Sequence, residues 1–130
     1  MRGQPRLVAL LIGLMCAVRF GLAAFGYADP LGLMEQLAAP PADNLQMPYI
    51  IRVWAIRDMV LAILVVLARP AHVRTLLIAC IAIDLTDIAS AWLGGNAGLF
   101  DAGESFALMT TAIAALVPEA LALLLTRRAH

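Results

Sequence analysis

Long apolar runs alternate with short polar segments along the whole chain. Four stretches, 7–27, 49–68, 74–93 and 105–126, are almost continuously hydrophobic. Each is close to the ~20 residues that a helix needs to cross the ~30 Å hydrocarbon layer of a membrane, where only a helix or a closed barrel satisfies its own backbone. The pattern predicts an all-α protein: a polytopic membrane four-helix bundle, up-down-up-down, forming a single transmembrane domain over residues 1–130.

Composition supports the membrane interpretation. Hydrophobic residues make up 63% of the 130 residues and charged residues only 14%. A soluble domain has roughly 45–50% apolar and about 25% charged residues. A soluble core of this length could not bury so much apolar side chain, so lipid is expected to cover much of it.

Charges outside the apolar runs are sorted by sign. The segments before the first run, between the second and third runs, and after the fourth run carry basic residues and no acidic ones: Arg2, Arg6, Arg69, Arg74, Arg127 and Arg128. The two opposite loops carry acidic residues and no arginine: Asp29, Glu35, Asp43, Asp101 and Glu104. Short loops rich in arginine stay in the cytoplasm. We therefore predict a multi-pass protein of the cell inner (plasma) membrane, with both termini cytoplasmic.

The first run has an alternative interpretation as a cleaved signal peptide, with Arg2 and Arg6 as its basic end. Arg19 interrupts the run, the run is long for a signal peptide, and the residues around Tyr27 make a poor cleavage site. A membrane span is the favoured interpretation.

Two of the connections carry turn signals. In the first long loop, Asp29-Pro30 is typical of a helix N-cap followed by proline at the first helical position. Leu31, Leu33, Met34 and Leu37 are then expected to form a short helix lying on the membrane surface. Between the third and fourth runs, the glycines predict a flexible loop: Gly94, Gly95 and Gly98.

Small residues recur at four-residue spacing on the third and fourth runs: Ala82, Thr86 and Ser90, and Ala107, Thr111 and Ala115. Such stripes let membrane helices approach closely. We expect them to form contacts within the chain, with a homo-oligomer interface as the alternative. Pro118 is expected to bend the fourth helix.

Several classes of site are not indicated. Cys16 and Cys80 lie in apolar runs and are expected to be reduced thiols that act as small hydrophobes. Neither His72 nor His130 lies inside a run, so we expect no metal and no cofactor. No basic surface indicates binding of nucleic acid. The expected partner is membrane lipid.

Ionisable residues inside the runs are the main candidates for function, because charge within a membrane span is costly. At ~1.5 Å of rise per residue, five of them share one layer roughly 10–15 Å below the outer surface: Arg19, Arg57, Asp58, Asp84 and Asp87. Arg52 lies near the outer end and points away, and Glu119 is expected to be too deep to touch the others. Trp54, one turn from Asp58, is the candidate wall of a pocket.

Three uses of this layer remain open. It could bind or convert a small lipophilic compound, with Asp58, Asp84 and Asp87 as candidate catalytic acids and bases and with Arg19 and Arg57 orienting or polarising. With three acids against two bases, one of the acids could hold a proton. It could instead be a purely structural ionic network in an accessory membrane subunit, or move protons or ions.

The sequence YIIRVWAIRDMVLA at 49–62 and the sequence FGLAAF at 20–25, with Pro30 and Asp84, have a recognisable pattern. The chain resembles a family of small bacterial and fungal four-helix membrane proteins, in which an Arg-Asp pair opens the second helix and an Asp lies on the third. The resemblance implies a four-helix architecture, with Arg57-Asp58 as that pair. It implies no activity.

Overall fold

Helices account for nearly all of the described chain. The computed structural model describes residues 6–36, 45–99 and 101–128. Over these residues there are five helices: α1 (Arg6–Ala28), α2 (Pro30–Gln36), α3 (Met47–Leu67), α4 (Pro70–Asn96) and α5 (Ala102–Arg128). Four residues named above lie outside the described residues: Arg2, Leu37, Asp43 and His130.

Three of the helices are long and apolar enough to cross a membrane. The most apolar 18-residue segments of α1, α4 and α5 have mean hydropathies of 2.3, 1.9 and 2.0. This agrees with a multi-pass membrane protein. α3 is 21 residues long, and every 18-residue segment of it contains all three of Arg52, Arg57 and Asp58.

The four long helices pack in neighbouring pairs. α1 packs along α3 and also contacts α5, while α4 packs along α5 and meets α3 less closely. In two of these pairs, residues near the end of one helix contact residues near the start of the other. The end of α1 at Gly26 lies against Ile51 near the start of α3, and Ser105 at the start of α5 bonds to Ala91 late in α4. Neighbouring long helices therefore run antiparallel.

An apolar core fills one half of this packing. All four long helices contribute buried side chains to it, and they include Cys16 and Cys80 as free thiols. The prediction for the two cysteines is confirmed. The core ends where the first charged side chains begin, at Arg19 on α1 and Asp84 on α4.

The short helix α2 is present, but its inner face packs on protein. Asp29 caps it, because its Oδ1 accepts the Gly32 N–H at 3.0 Å, and Pro30 is its first residue. Leu33 and Met34 are buried, in a small cluster with Ile51 of α3. The expectation of a helix lying on the membrane surface missed these contacts, because apolar spacing alone does not reveal which surface an apolar face meets.

The connection between α4 and α5 is shorter than predicted. Gly94 and Gly95 belong to α4, and only Gly98, at φ 73°, lies beyond its end. The Leu99 N–H bonds to the Gly94 carbonyl and the Gly98 N–H to the Gly95 carbonyl, which is a Schellman termination. α5 then starts with a reciprocal cap, in which Asp101 and Glu104 each accept the other's backbone N–H at 2.8 Å.

The small-residue stripe of α4 faces outward. Ala82, Thr86 and Ser90 are exposed, and both hydroxyls bond to carbonyls of their own helix. The expectation of contacts within the chain is wrong for this stripe. On α5, Ala107 and Ala115 are half-buried. A homo-oligomer through these faces stays a prediction.

Gly95 provides a test of the close approach between α4 and α5. A Cβ at this position would lie 2.6 Å from Ser105 Oγ, which is held by its bond to the Ala91 carbonyl. We expect Gly95→Ala to lower stability by about 1–3 kcal/mol, as overpacking does, although alanine is the better helix former. Thermal unfolding in detergent, followed by circular dichroism, measures this.

Gly13→Ala is the matched control. Gly13 is also helical, and an added Cβ there would meet nothing within 4 Å. This variant is expected to be as stable as the wild type or more so, by up to about 1 kcal/mol. Equal stability of the two variants would contradict the close approach.

Candidate functional site

Arg19 of α1 binds acidic side chains from three other helices. Its Nη1 lies 3.2 Å from Asp58 Oδ1 of α3, and its Nη2 lies 2.7 Å from both Asp84 Oδ1 of α4 and Glu119 Oε1 of α5. The Arg19 side chain is 2% exposed. One guanidinium therefore joins all four long helices at a single buried point.

A second ion pair extends this group towards the protein surface. Arg57 Nε donates to Asp58 Oδ1 at 3.1 Å, and Arg57 Nη2 donates to Asp87 Oδ2 at 3.1 Å. The side chains of Arg57 and Asp87 are 38% and 36% exposed. We call the six connected residues the ionic cluster: Arg19, Arg57, Asp58, Asp84, Asp87 and Glu119.

Helical spacing explains which members are buried. Asp58 lies on the buried stripe of α3 between Ala55 and Ala62, and Asp84 follows Cys80 by one turn on the buried stripe of α4. Arg57 precedes Asp58 by one residue and Asp87 follows Asp84 by three, so each lies at the edge of its buried stripe. The cluster thus has a buried centre at Arg19 and a partly exposed end between α3 and α4.

All five residues predicted to share one layer are brought together, and the sequence reasoning missed a sixth. Glu119 was expected to be too deep, yet it bonds directly to Arg19 and is 0% exposed. Helical side chains lean towards the N-terminus of their own helix. Because α1 and α5 are antiparallel, the two side chains lean towards each other and close the axial gap. The available signal was the seven-residue stripe of Ser105, Ala112, Glu119 and Thr126 on α5.

Charge in the ionic cluster is unbalanced. Four acidic residues face two arginines, in a setting where ionised groups are costly unless they are paired and hydrogen-bonded. Three buried polar atoms have no hydrogen-bond partner among the described residues: Arg19 Nε, Asp84 Oδ2 and Glu119 Oε2. Two unpaired acceptors and one unpaired donor leave the network incomplete.

Two other predicted residues lie apart from the cluster. Arg52 is exposed, and its Nε donates to the Tyr27 carbonyl at 3.3 Å. This confirms the prediction that Arg52 is not part of the charged layer. Trp54 packs against the small apolar cluster that holds Leu33 and Ile51. Its role as a pocket wall stays a prediction.

An apolar groove runs along the seam between α1 and α5. Its volume is about 550 Å³, within the usual range of ligand pockets. Met15 and Ala115 line it, each one helical turn before Arg19 and Glu119 respectively, and Pro118 adjoins Glu119. The groove therefore lies one helical turn from Arg19 and Glu119, and no residue of the ionic cluster lines it. No group of three or more His, Cys, Asp or Glu side chains in the described residues is arranged to hold a metal ion.

Comparison with known proteins finds no matching family model, no matching curated protein and no matching solved structure. The resemblance to small four-helix membrane proteins therefore stays a prediction, and the site is interpreted from its own geometry.

Replacing Arg19 tests whether the helices depend on its ion pairs. We expect Arg19→Met to lower the free energy of unfolding by about 3–5 kcal/mol, because buried carboxylates are left without their cation. Equilibrium unfolding in mixed micelles measures the change.

Arg52→Met is the control for this substitution, since it removes an exposed arginine with a single bond to a carbonyl. Its effect is expected to be within about 0.5 kcal/mol. If the two variants lost the same stability, Arg19 would not be the joint of the four helices.

Proposed function

We propose that all four long helices cross the membrane as one up-down-up-down bundle, a single domain in the inner membrane with both termini cytoplasmic. Support comes from α3, which packs along α1 and has the length of a span. Its charged residues are accounted for: Arg57 and Asp58 form ion pairs, and Arg52 bonds to a carbonyl at the end of α1.

Single cysteines test this topology. Leu45→Cys and Leu99→Cys introduce exposed thiols before α3 and after α4, and Ala71→Cys introduces one near the α3–α4 turn. An impermeant maleimide added to intact cells is expected to label the first two, and to label the third only after permeabilisation. The native Cys16 and Cys80 are buried, so the unmodified protein is the control. Labelling of positions 45 and 71 from the same side would show that α3 does not span.

We further propose that the ionic cluster and the adjoining groove bind, and by acid/base chemistry convert, a small lipophilic compound. The observation that carries this proposal is the incomplete network at the buried centre, with unpaired oxygens on Asp84 and Glu119. Buried polar groups are normally hydrogen-bonded, and unpaired ones call for an explanation such as a catalytic role or a bound water or ion. The apolar body of the compound would lie in the α1–α5 groove, with its polar group at these oxygens.

Roles within the cluster follow from position. Asp84 and Glu119 would contact the polar group, and Asp58 and Asp87, which are joined to the centre through Arg19 and Arg57, would extend the site towards the surface between α3 and α4. Arg19 and Arg57 would orient these carboxyls and offset developing negative charge. An Asp-Arg-Asp set suits opening or isomerisation of a strained or unsaturated compound by chemical analogy alone.

Asp84→Asn tests the site. Arg19 keeps Asp58 and Glu119 as partners in this variant, so we expect the protein to stay folded in detergent. A broad library of lipophilic compounds is screened by thermal shift on the wild type. Compounds that stabilise the wild type are expected to lose their effect on Asp84→Asn and to keep it on Glu35→Gln, which changes an exposed acid on α2. A wild type that no compound stabilises would contradict the proposal.

The alternative function is a structural or accessory membrane subunit in which the ionic cluster only locks the helices. It is favoured by the single guanidinium that bonds to acids from three helices. It requires that Arg57→Asp and Asp87→Arg each destabilise the protein and that the double exchange restores stability. If the double exchange restores stability and the compounds still raise the melting temperature of this double variant, binding is favoured over a purely structural role.

A further inference from the structure

We propose that the compound bound at this site is a lipophilic cation, with an ammonium group at Asp84 and Glu119 and an apolar body in the α1–α5 groove. The inference rests on the proposed function, because it names the class of compound that the same site would take.

Charge at the buried centre gives the sign of the ligand. Arg19 alone faces Asp58, Asp84 and Glu119, and Arg57, the other arginine, is divided between Asp58 and Asp87. With all of these carboxyl groups ionised, a bound anion would add to the negative excess, and a neutral compound would leave it unchanged. A cation reduces it, and charges in a low-dielectric interior are tolerated when they are paired.

Hydrogen-bonding capacity points to the same class. The unpaired atoms Asp84 Oδ2 and Glu119 Oε2 both accept hydrogen bonds, whereas Arg19 Nε is the single unpaired donor. These two carboxyl groups already converge on one nitrogen of Arg19 through their other oxygens. An alkylammonium group brings three N–H donors, while a carboxylate brings none.

The groove gives the shape of the rest of the compound. Its lining is apolar apart from Thr110, whose hydroxyl is already bonded to the Phe106 and Ala107 carbonyls of its own helix. No charged side chain lines it. An unbranched or compact hydrocarbon body fits this lining, and its charged end would turn inward past Met15 and Ala115.

Three probes with the same chain test the inference: dodecylammonium, dodecanol and dodecanoate. Each is titrated calorimetrically into the full-length protein in lipid nanodiscs, and empty nanodiscs give the background of partition into lipid. We expect saturable binding of dodecylammonium at least about tenfold tighter than binding of dodecanol, since hydrogen bonds to charged groups are the stronger ones. Dodecanoate is expected to bind most weakly.

Variants locate the binding. Glu119→Gln is expected to remove most of the preference for dodecylammonium over dodecanol, because it removes one negative charge while Arg19 keeps two acidic partners. Ala114→Phe, on the exposed lining of the groove, is expected to weaken all saturable binding regardless of charge. Glu35→Gln, on the exposed side of α2, is expected to change nothing. If Glu119→Gln does not fold, Asp84→Asn replaces it, and the comparison of the three probes on the wild type stands without any variant.

The outcomes separate this inference from the proposed function. Saturable binding with dodecanol or dodecanoate equal to or tighter than dodecylammonium would overturn the cation and leave the proposed function in place. No saturable binding of dodecylammonium would also overturn the cation, while the thermal-shift screen decides the proposed function independently. A preference for dodecylammonium that survives in Glu119→Gln and Asp84→Asn would place the cation elsewhere and overturn the inference.

Discussion

The arrangement of the helices depends on one guanidinium group. Arg19 presents two terminal nitrogens to carboxyl groups from α3, α4 and α5, and no second residue touches all of these helices through polar contacts in the described residues. Arginine suits this position because its planar fork donates in several directions at once and stays charged when it is buried. A lysine would offer one point charge to three carboxyl groups.

Much of this arrangement follows from sequence. The apolar runs predicted the long helices, and the depths of Arg19, Arg57, Asp58, Asp84 and Asp87 placed them in one layer. The helix ends differ by a few residues because the caps extend them. Pro70 begins α4 inside the expected turn, and the reciprocal cap at Asp101 lets α5 begin at Ala102.

Glu119 shows where depth arguments fail. Counting residues from the helix ends assumes that those ends lie at one level and that side chains extend straight outwards. α4 and α5 are 27 residues long and α1 is 23, and antiparallel side chains lean towards one another. The neighbours of α2 and the outward face of the Ala82 stripe were missed for a related reason: periodicity identifies a face but not what covers it.

The order in which the ribosome makes the chain gives the Arg19 joint a further consequence. Arg19 is synthesised first, and its partners at positions 58, 84 and 119 follow in turn. α1 therefore enters the bilayer carrying a charge that nothing yet neutralises, a penalty of roughly 2.5–3.5 kcal/mol on insertion scales. Its hydropathy, the highest of the three candidate spans, offsets that penalty. The joint is complete only when α5, which is made after α1, α3 and α4, brings in Glu119.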